Sequence, residues 1–176
     1  MAVKRLKPTT AGSRFTVLNK KSEVSTDKPE KSLTTTLSRK GGRNSVGRMT
    51  MRQIGGGHRR KYRIIDFKRD KFNVEGSIKT IEYDPSRSAF ISLVAYKDGE
   101  KRYIITPQGL KVGNKILSGE SVAPEVGNAM KLKHMPLGTI IHNIELRPGQ
   151  GAEIARSAGT YAQLLARDGK YAIIKL

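Results

Sequence analysis

The residues best suited to chemistry lie between Arg39 and Arg63, where arginine and lysine alternate with glycine. This stretch, RKGGRNSVGRMTMRQIGGGHRRKYR, contains nine Lys or Arg, six Gly and no Asp or Glu. Guanidinium groups pair with phosphate oxygens, and glycine lets a backbone approach a phosphate closely. Because the stretch has few apolar side chains and its charges repel one another, it cannot form a core of its own. The pattern predicts a segment that becomes ordered by binding a polyanion, RNA above all.

The glycine run from Gly55 to Gly57 allows a second interpretation, a flexible hinge ahead of the first strand. A hinge has no need of arginine on both sides, and here Arg52 precedes the run and Arg59 follows it. The run is not a nucleotide-binding P-loop either, because no Gly-Lys-Ser/Thr follows at the required spacing. We therefore expect backbone amides and guanidinium groups to contact phosphates. The candidate RNA-binding residues of the stretch are Arg39, Lys40, Arg43, Arg48, Arg52, Gly55, Gly56, Gly57, His58, Arg59, Arg60 and Arg63.

Positive charge is concentrated in the N-terminal part of the chain. The 176 residues include 34 Lys or Arg and 15 Asp or Glu, a formal net charge of +19. Residues 1–71 carry 20 basic and 5 acidic side chains, a net of +15, and residues 72–176 carry 14 and 10, a net of +4. A merely solvated basic surface is the alternative, but such a one-sided excess destabilises a compact state unless a polyanion offsets it. We therefore expect a nearly neutral globular part and a basic nucleic-acid-binding arm.

Composition argues against several other classes of protein. The chain has no cysteine, which rules out disulfides and thiolate metal sites. Its three histidines, His58, His134 and His142, are too scattered to predict a zinc site, and no catalytic triad or carboxylate pair can be argued. The apolar runs are too short for a membrane span, and the first residues lack the apolar region of a secretory signal. We expect a cytoplasmic protein without metal, cofactor, membrane partner or enzymatic activity.

The distribution of apolar residues predicts a mainly β protein in three parts. Residues 1–60 show neither helical nor strand periodicity and are expected to form an extended arm, disordered without its partner. Residues 61–124 contain short β-prone runs, which together predict a small barrel, with Asp98-Gly99 closing a hairpin and Gly76 marking a bulge or bend. The predicted strands are Tyr62–Phe67, Val74–Tyr83, Phe90–Tyr96, Arg102–Thr106 and Lys115–Leu117.

Residues 125–176 predict a second, smaller β unit, reached through a Gly- and Pro-rich connector at 119–138. Its predicted strands are Gly138–Leu146, Ala152–Arg156, Tyr161–Arg167 and Lys170–Leu176, the last two joined at Asp168-Gly169. A barrel that stopped at Leu176 would expose the ladder of its last strand, so we expect the natural chain to be longer.

Four basic residues outside the first stretch are further candidates for RNA contact. Arg69 and Lys71 lie at the end of a predicted strand, where a charged loop without RNA contacts is the alternative. Arg87 follows a proline turn, and Arg156 precedes three small residues that allow close approach to a groove. Either of these two arginines could instead be an ordinary surface residue.

Aromatic side chains on the predicted strands could stack on bases. Aromatic residues at strand positions are more often part of the core, however, and the core is the favoured assignment for most of them. The residues concerned are Tyr62, Phe67, Phe90, Tyr96 and Tyr103.

Four motifs carry a family resemblance. The string GRMTMRQIGGGH from Gly47, followed by YR at Tyr62 and IDF at Ile65, resembles the signature of the bacterial ribosomal protein L-two family (uL2). Three further stretches fit that family in the same order: TIEYDPSRSAFISLV from Thr80, GEKRYIITPQGLKVG from Gly99 and ARSAGTYAQLLA from Ala155. The resemblance covers nearly the whole chain and is weakest over the first 35 residues.

The resemblance implies a fold and a role. The fold would be an RNA-embedded N-terminal extension (1–60), a five-stranded OB-fold barrel (61–124) and an SH3-like, translation-protein-like barrel (125–176) that is incomplete here. The role would be that of a structural constituent of the 50S subunit and a primary binder of 23S rRNA. Its partners would be other large-subunit proteins and, across the interface, the small subunit with its 16S rRNA. It would support subunit association, tRNA binding and peptide-bond formation.

Two other classes remain open at this point. A soluble OB/SH3-like translation or transcription factor would cycle on and off nucleic acid. Each binding event would then have to order the long arm, which lowers the free energy gained on binding. A peptidyl-transfer enzyme would need activity from the isolated chain, and we expect none. The family's basic C-terminal extension has no counterpart in this sequence, so the roles of that extension cannot be assigned to any residue of this chain.

Overall fold

The computed structural model describes residues 3–37 and 39–176, and its regular secondary structure is almost entirely β-strand, which confirms the predicted class. Met1, Ala2 and Ser38 of the predicted arm lie outside the described residues. The strands are β1 Val3–Arg5, β2 Val17–Asn19, β3 Thr34–Thr36, β4 Lys61–Arg63, β5 Gly76–Glu82, β6 Ile91–Tyr96, β7 Lys101–Ile105, β8 Lys115–Ile116, β9 Ile140–Ile141, β10 Ala162–Asp168 and β11 Tyr171–Lys175, and a single-turn 3-10 helix covers Lys31–Leu33. No helix in the described part of the chain is long and apolar enough to cross a membrane.

An antiparallel sheet in the order β7-β6-β5-β8 forms a curled half-barrel. The turn between β6 and β7 is the one predicted at Asp98-Gly99, and Gly99 adopts φ +89°, which favours glycine. β4 ends at Arg63, earlier than predicted, and the chain then reaches β7 through a parallel bridge between Ile65 and Tyr103. All five strands predicted for the first barrel are present, but β4 pairs with β3 and only the other four form the sheet.

Apolar residues cover both faces of this sheet because neighbouring residues on a strand point to opposite sides. On β6, Leu93 belongs to one buried cluster and Val94 to the other; on β7, Tyr103 and Ile104 divide in the same way. The cluster around Val94 also contains Leu110, from the connection between β7 and β8, and Ile116 of β8. The cluster around Tyr103 is covered by the chain that precedes β4, including Leu33. The sheet thus needs the N-terminal segment to cover its second face.

Gly76 has a different role from the predicted bulge. The register shift of β5 falls between Ile78 and Thr80, whereas Gly76 is regularly paired with Tyr96 and with Ile116. A Cβ at Gly76 would lie 2.5 Å from Val94 Cγ1, so glycine is needed there for close packing against β6.

Part of the predicted arm packs on the first barrel, contrary to the expectation of an irregular segment up to residue 60. β3 pairs with β4, and the Ser25 amide donates to the Ile81 carbonyl at 2.9 Å. The Glu30 amide donates to the buried Tyr103 hydroxyl at 2.8 Å, and that hydroxyl donates to Glu82 at 2.8 Å. These contacts use backbone and hydroxyl groups, so they require no periodic pattern of apolar residues. The pattern of apolar residues therefore could not predict them.

The second β unit is a three-stranded sheet in the order β11-β10-β9. Its hairpin around Asp168-Gly169 is confirmed, but the long strand predicted at Gly138–Leu146 is wrong: only β9 and a bridge between Ile144 and Ile154 form there. The same bridge is all that forms of the strand predicted at Ala152–Arg156. Asn143 and Ala155 adopt φ +52° and +54°, which interrupts both segments beside this bridge. The small core of the unit consists of Ile141, Ile144, Ala162 and Leu164.

Candidate nucleic-acid interface

The main candidate interface is the connection between β3 and β4, residues 39–60, which we call the basic loop. β3 and β4 are paired over three residues, so the loop leaves and re-enters the barrel at one place. Every residue from Arg43 to Arg60 is solvent-exposed. The sequence therefore folds its most basic stretch outside the core, where a large polyanion can reach it.

The first half of the basic loop forms a preorganised turn. The amides of Thr50 and Met51 donate to the Gly42 carbonyl at 2.9 and 3.2 Å. At the tip, the Asn44 side-chain oxygen accepts hydrogen bonds from the amides of Val46 and Arg48, both at 3.0 Å. This tip, residues 42–51, presents arginines on a defined backbone, which lowers the entropy lost on binding.

Replacing Gly42 with alanine should disrupt this tip. A Cβ at Gly42 would clash with the Met51 carbonyl oxygen, and φ is +73°. Gly47 is the matched control, since its φ is +81° but nothing lies within 4 Å of an added Cβ. We expect Gly42→Ala to lose amide hydrogen-exchange protection at Thr50 and Met51 and to weaken RNA binding, and Gly47→Ala to do so much less. Equal effects of the two substitutions would mean that backbone strain, and not the close approach to Met51, matters.

The glycine run closes the basic loop back on its start. Arg39 donates from Nη1 to the Gly56 carbonyl at 2.8 Å. Gly55, Gly56 and Gly57 have φ of +138°, +66° and +77°. Residues with a side chain rarely adopt positive φ, so these three positions favour glycine. Beyond it, His58, Arg59, Arg60, Lys61 and Arg63 line an open groove of about 490 Å³ against Pro29 and Pro85. The groove places basic side chains along one concave surface.

The electrostatics of the basic loop differ from those of the barrel. Among the described residues, no Lys or Arg of the loop has a carboxylate oxygen within 4.0 Å, although Arg39, Arg43 and Arg60 donate to backbone carbonyls. Several lysines of the barrel, in contrast, form ion pairs. The Glu75 carboxylate lies 2.5 Å from the Lys97 ammonium and 2.7 Å from that of Lys115. Hydrogen bonds from Lys115 and Lys97 lower the pKa of Glu75 to about 2, so this carboxylate stays ionised.

The predicted site residues Arg63, Arg69 and Lys71, which lie outside the basic loop, are held by protein partners. Arg69 is half-buried; its Nε donates to Ser118 Oγ at 3.2 Å and its Nη2 to the Gly127 carbonyl at 3.0 Å, and burial lowers its pKa. Lys71 is paired with Asp98 and Glu100. Arg63 is buried, and its Nη1 lies 3.8 Å from Asp84 Oδ1. It therefore lines the groove while its charge is paired within the protein. These contacts tie loops together, and a direct RNA role for the three stays a prediction.

Arg87 and Arg156 come from the two different β units and meet at one aromatic ring. The Arg156 guanidinium lies 3.8 Å from the Phe67 ring centroid, and that of Arg87 lies 5.9 Å from it. The Ala158 amide donates to Ser88 Oγ at 3.1 Å, which joins the two loops that carry these arginines. Arg87 is also bound to Asp84, whereas Arg156 is exposed. The structure thus places one exposed arginine on an aromatic platform at the junction.

Two family models match this chain, and together they cover most of its length. Residues 30–118 match the model described as Ribosomal Proteins L2, RNA binding N-terminal domain, and residues 125–176 match the corresponding C-terminal domain. The chain belongs to the ribosomal protein L2 family. The first L2 domain starts at residue 30, so it includes β3 and the whole basic loop together with the half-barrel.

Curated L2 relatives agree with this assignment. The proteins named "Large ribosomal subunit protein uL2" from Cytophaga hutchinsonii and Flavobacterium psychrophilum are 61% and 62% identical over 176 residues. The protein of the same name from Bacteroides thetaiotaomicron is 58% identical. All three alignments cover 100% of this chain, but only 63–64% of the relatives' own length. The chain therefore spans just under two thirds of the L2 proteins that it matches.

The sequence does not predict the contact between Phe67 and Arg156. Phe67 packs against the core cluster around Tyr103, as expected for most of the aromatic residues, but it is only partly buried and also carries Arg156 on its ring. Tyr96 and Tyr103 are buried, as predicted. Nothing in the local sequence distinguishes Phe67 from these two, because its partner comes from the second L2 domain.

Proposed function

We propose that this chain is a structural constituent of the large ribosomal subunit in the bacterial cytoplasm and that its basic loop binds 23S rRNA. The observation that carries the proposal is the contrast in charge pairing. None of the basic residues at 39–60 has a carboxylate partner in the described structure, whereas seven of the twelve basic residues at 61–124 have one. Unpaired arginines on a preorganised surface are suited to neutralising phosphates.

The finer parts of the proposal concern the assembled ribosome. The neighbours are other large-subunit proteins and, across the interface, the small subunit with its 16S rRNA. In that position the chain supports subunit association, tRNA binding and peptide-bond formation through the RNA that it orders. The proposal assigns it no catalytic residue. It is supported by the curated relatives, which are named as proteins of the large ribosomal subunit.

The mechanism of binding follows from the local geometry. The tip at residues 42–51 and the groove beyond the glycine run offer guanidinium groups at two places along one loop. At the junction of the β units, the Arg156 guanidinium lies 3.8 Å from the Phe67 ring centroid, and from this position it can contact a phosphate or stack on a base. The half-barrel positions these elements.

Sedimentation tests the proposal. We expect the chain to stay with large-subunit particles after a moderate-salt wash, because many phosphate contacts are enclosed by the particle. On free large-subunit rRNA, the logarithm of affinity should fall by roughly 0.7–0.9 per phosphate contact for each tenfold rise in salt. Release from the particles by the wash would instead indicate a factor that cycles on and off, and weak salt dependence on free RNA would contradict phosphate binding itself.

A further inference from the structure

The first hairpin, formed by β1, β2 and the turn between them, carries an aromatic ring that is left uncovered by the described residues. Phe15 is 86% exposed. A phenylalanine ring is normally a source of buried area, and leaving it in water is unfavourable. Residue 15 lies outside the segment that matches the RNA-binding domain model, which begins at residue 30. The hairpin is therefore a different segment of the chain from the basic loop.

The turn holds this ring in a defined place. Thr10 and Ser13 hydrogen-bond through their hydroxyl groups at 3.0 Å, and the Arg14 amide donates to the Thr10 carbonyl at 3.2 Å. Thr16 closes the turn by donating from Oγ1 to the Gly12 carbonyl at 2.6 Å. A turn stabilised in this way presents Phe15 without a large ordering cost on binding.

The hairpin is also attached to the half-barrel. The Lys21 ammonium lies 3.5 Å from the centroid of the Tyr83 ring, just beyond β5. Four residues further on, the Ser25 hydroxyl accepts a hydrogen bond from the Ile81 amide at 2.9 Å. The exposed ring therefore projects from a fixed position on the protein.

The surroundings of Phe15 favour a nucleic acid as its partner. Residues 3–22 contain six basic side chains and no acidic one, and none of the six has a carboxylate partner in the described structure. Arginine and lysine next to a projecting aromatic ring suit an unstacked base with its phosphates. A lipid surface is a poorer match, because interfacial binding elements are typically helices with a broad apolar face, and this is a short β-hairpin.

We propose that Phe15 stacks on an unpaired base of ribosomal RNA while Arg14 and the lysines of the hairpin contact adjacent phosphates. The first hairpin is then a second RNA-binding element, independent of the basic loop. This inference rests on the proposed function, since it takes ribosomal RNA as the partner.

Fluorescence can test the stacking directly because the chain contains no tryptophan. In a Phe15→Trp variant, saturating large-subunit rRNA should strongly quench the indole. Tyr171→Trp is the matched control, since Tyr171 is 81% exposed but lies on the last strand, and its indole should be little affected. Phe15→Ala should weaken RNA affinity about fivefold to 150-fold. Phe15→Leu should lose nearly as much, because the π-face and not only apolar area is required.

Three results would overturn the inference. One is an unquenched Phe15→Trp in a complex that the wild-type chain forms normally. Another is full RNA affinity of Phe15→Ala. A third is a spectral shift of Phe15→Trp with phosphatidylserine vesicles but none with rRNA, which would identify a membrane surface. Failure of the wild-type chain to bind large-subunit rRNA at all would be recognised separately, and it would overturn the proposed function together with this inference.

Discussion

Replacing Arg48, Arg52, Arg59 and Arg60 together with alanine should reduce affinity for large-subunit rRNA by on the order of a hundredfold to a thousandfold, if each contact contributes about 1 kcal/mol. None of these side chains has an acidic partner among the described residues, and all are exposed. Four lost phosphate contacts should also lower the slope of log affinity against log salt by roughly 3. Filter binding or fluorescence anisotropy over a range of salt concentrations measures both quantities.

The stability of the barrel should hardly change in this variant. The hydrogen bond from Arg60 Nη1 to the Pro85 carbonyl at 3.1 Å is exposed, and surface substitutions of this kind usually alter stability by less than about 0.5 kcal/mol. An unfolding midpoint that falls while RNA affinity is kept would mean that the basic loop is structural.

A charge-matched control separates position from net charge. Replacing Lys97, Lys101, Lys115 and Lys131 with alanine removes the same four positive charges, but each of these lysines is paired with a glutamate. We expect this variant to bind rRNA within a few-fold of the wild type. An equal loss in both variants would show that binding depends on total charge alone and would contradict a localised interface.

Asp84→Asn should destabilise the protein strongly, by about 3–5 kcal/mol. The Asp84 side chain is fully buried; its Oδ2 accepts from Arg87 Nε at 2.6 Å and its Oδ1 accepts from the Ser86 amide at 2.9 Å. Arg63 Nη1, also buried, lies 3.8 Å away. The substitution leaves two largely buried guanidinium groups without a counter-ion. Urea denaturation with an unchanged m-value would measure the loss.

Asp98→Asn is the control for this prediction, since Asp98 also pairs with a basic residue but its side chain is 51% exposed. Exposed pairs contribute about 0–1 kcal/mol, so this variant should melt nearly as the wild type does. If the two variants lose the same stability, then burial of the Asp84 pair does not set its contribution.

The strands of the first barrel could be predicted from sequence because their apolar residues recur at the spacing of a two-sided sheet. Gly99 and Asp98 also mark a turn chemically, so the β6–β7 hairpin is found at the predicted place. The second unit was predicted less well. Asn143 and Ala155 adopt positive φ, which their residue types alone do not predict. The long strand expected at Gly138–Leu146 is therefore interrupted.

Part of the candidate site could likewise be predicted from the sequence, and part of it could not. Runs of arginine and glycine identify the basic loop directly, since charge and the lack of apolar residues exclude it from a core. Contacts between distant segments leave no such pattern: Glu30 reaches Tyr103, and Arg156 reaches Phe67, only once the chain is folded. For the same reason the sequence could not show that the side chains of Arg69 and Lys71 have protein partners, whereas those of Arg48 and Arg52 have none among the described residues.

Photo-crosslinking of the whole chain to large-subunit rRNA carrying 4-thiouridine, with the peptides identified by mass spectrometry, tests the central claim most directly. That claim is that residues 39–60, whose described basic side chains lack carboxylate partners, form the principal contact with rRNA. We expect the crosslinked peptides to be concentrated in this range. Crosslinks confined to residues 97–115, where the basic residues Lys97, Lys101, Arg102 and Lys115 are paired with acidic side chains, would contradict it.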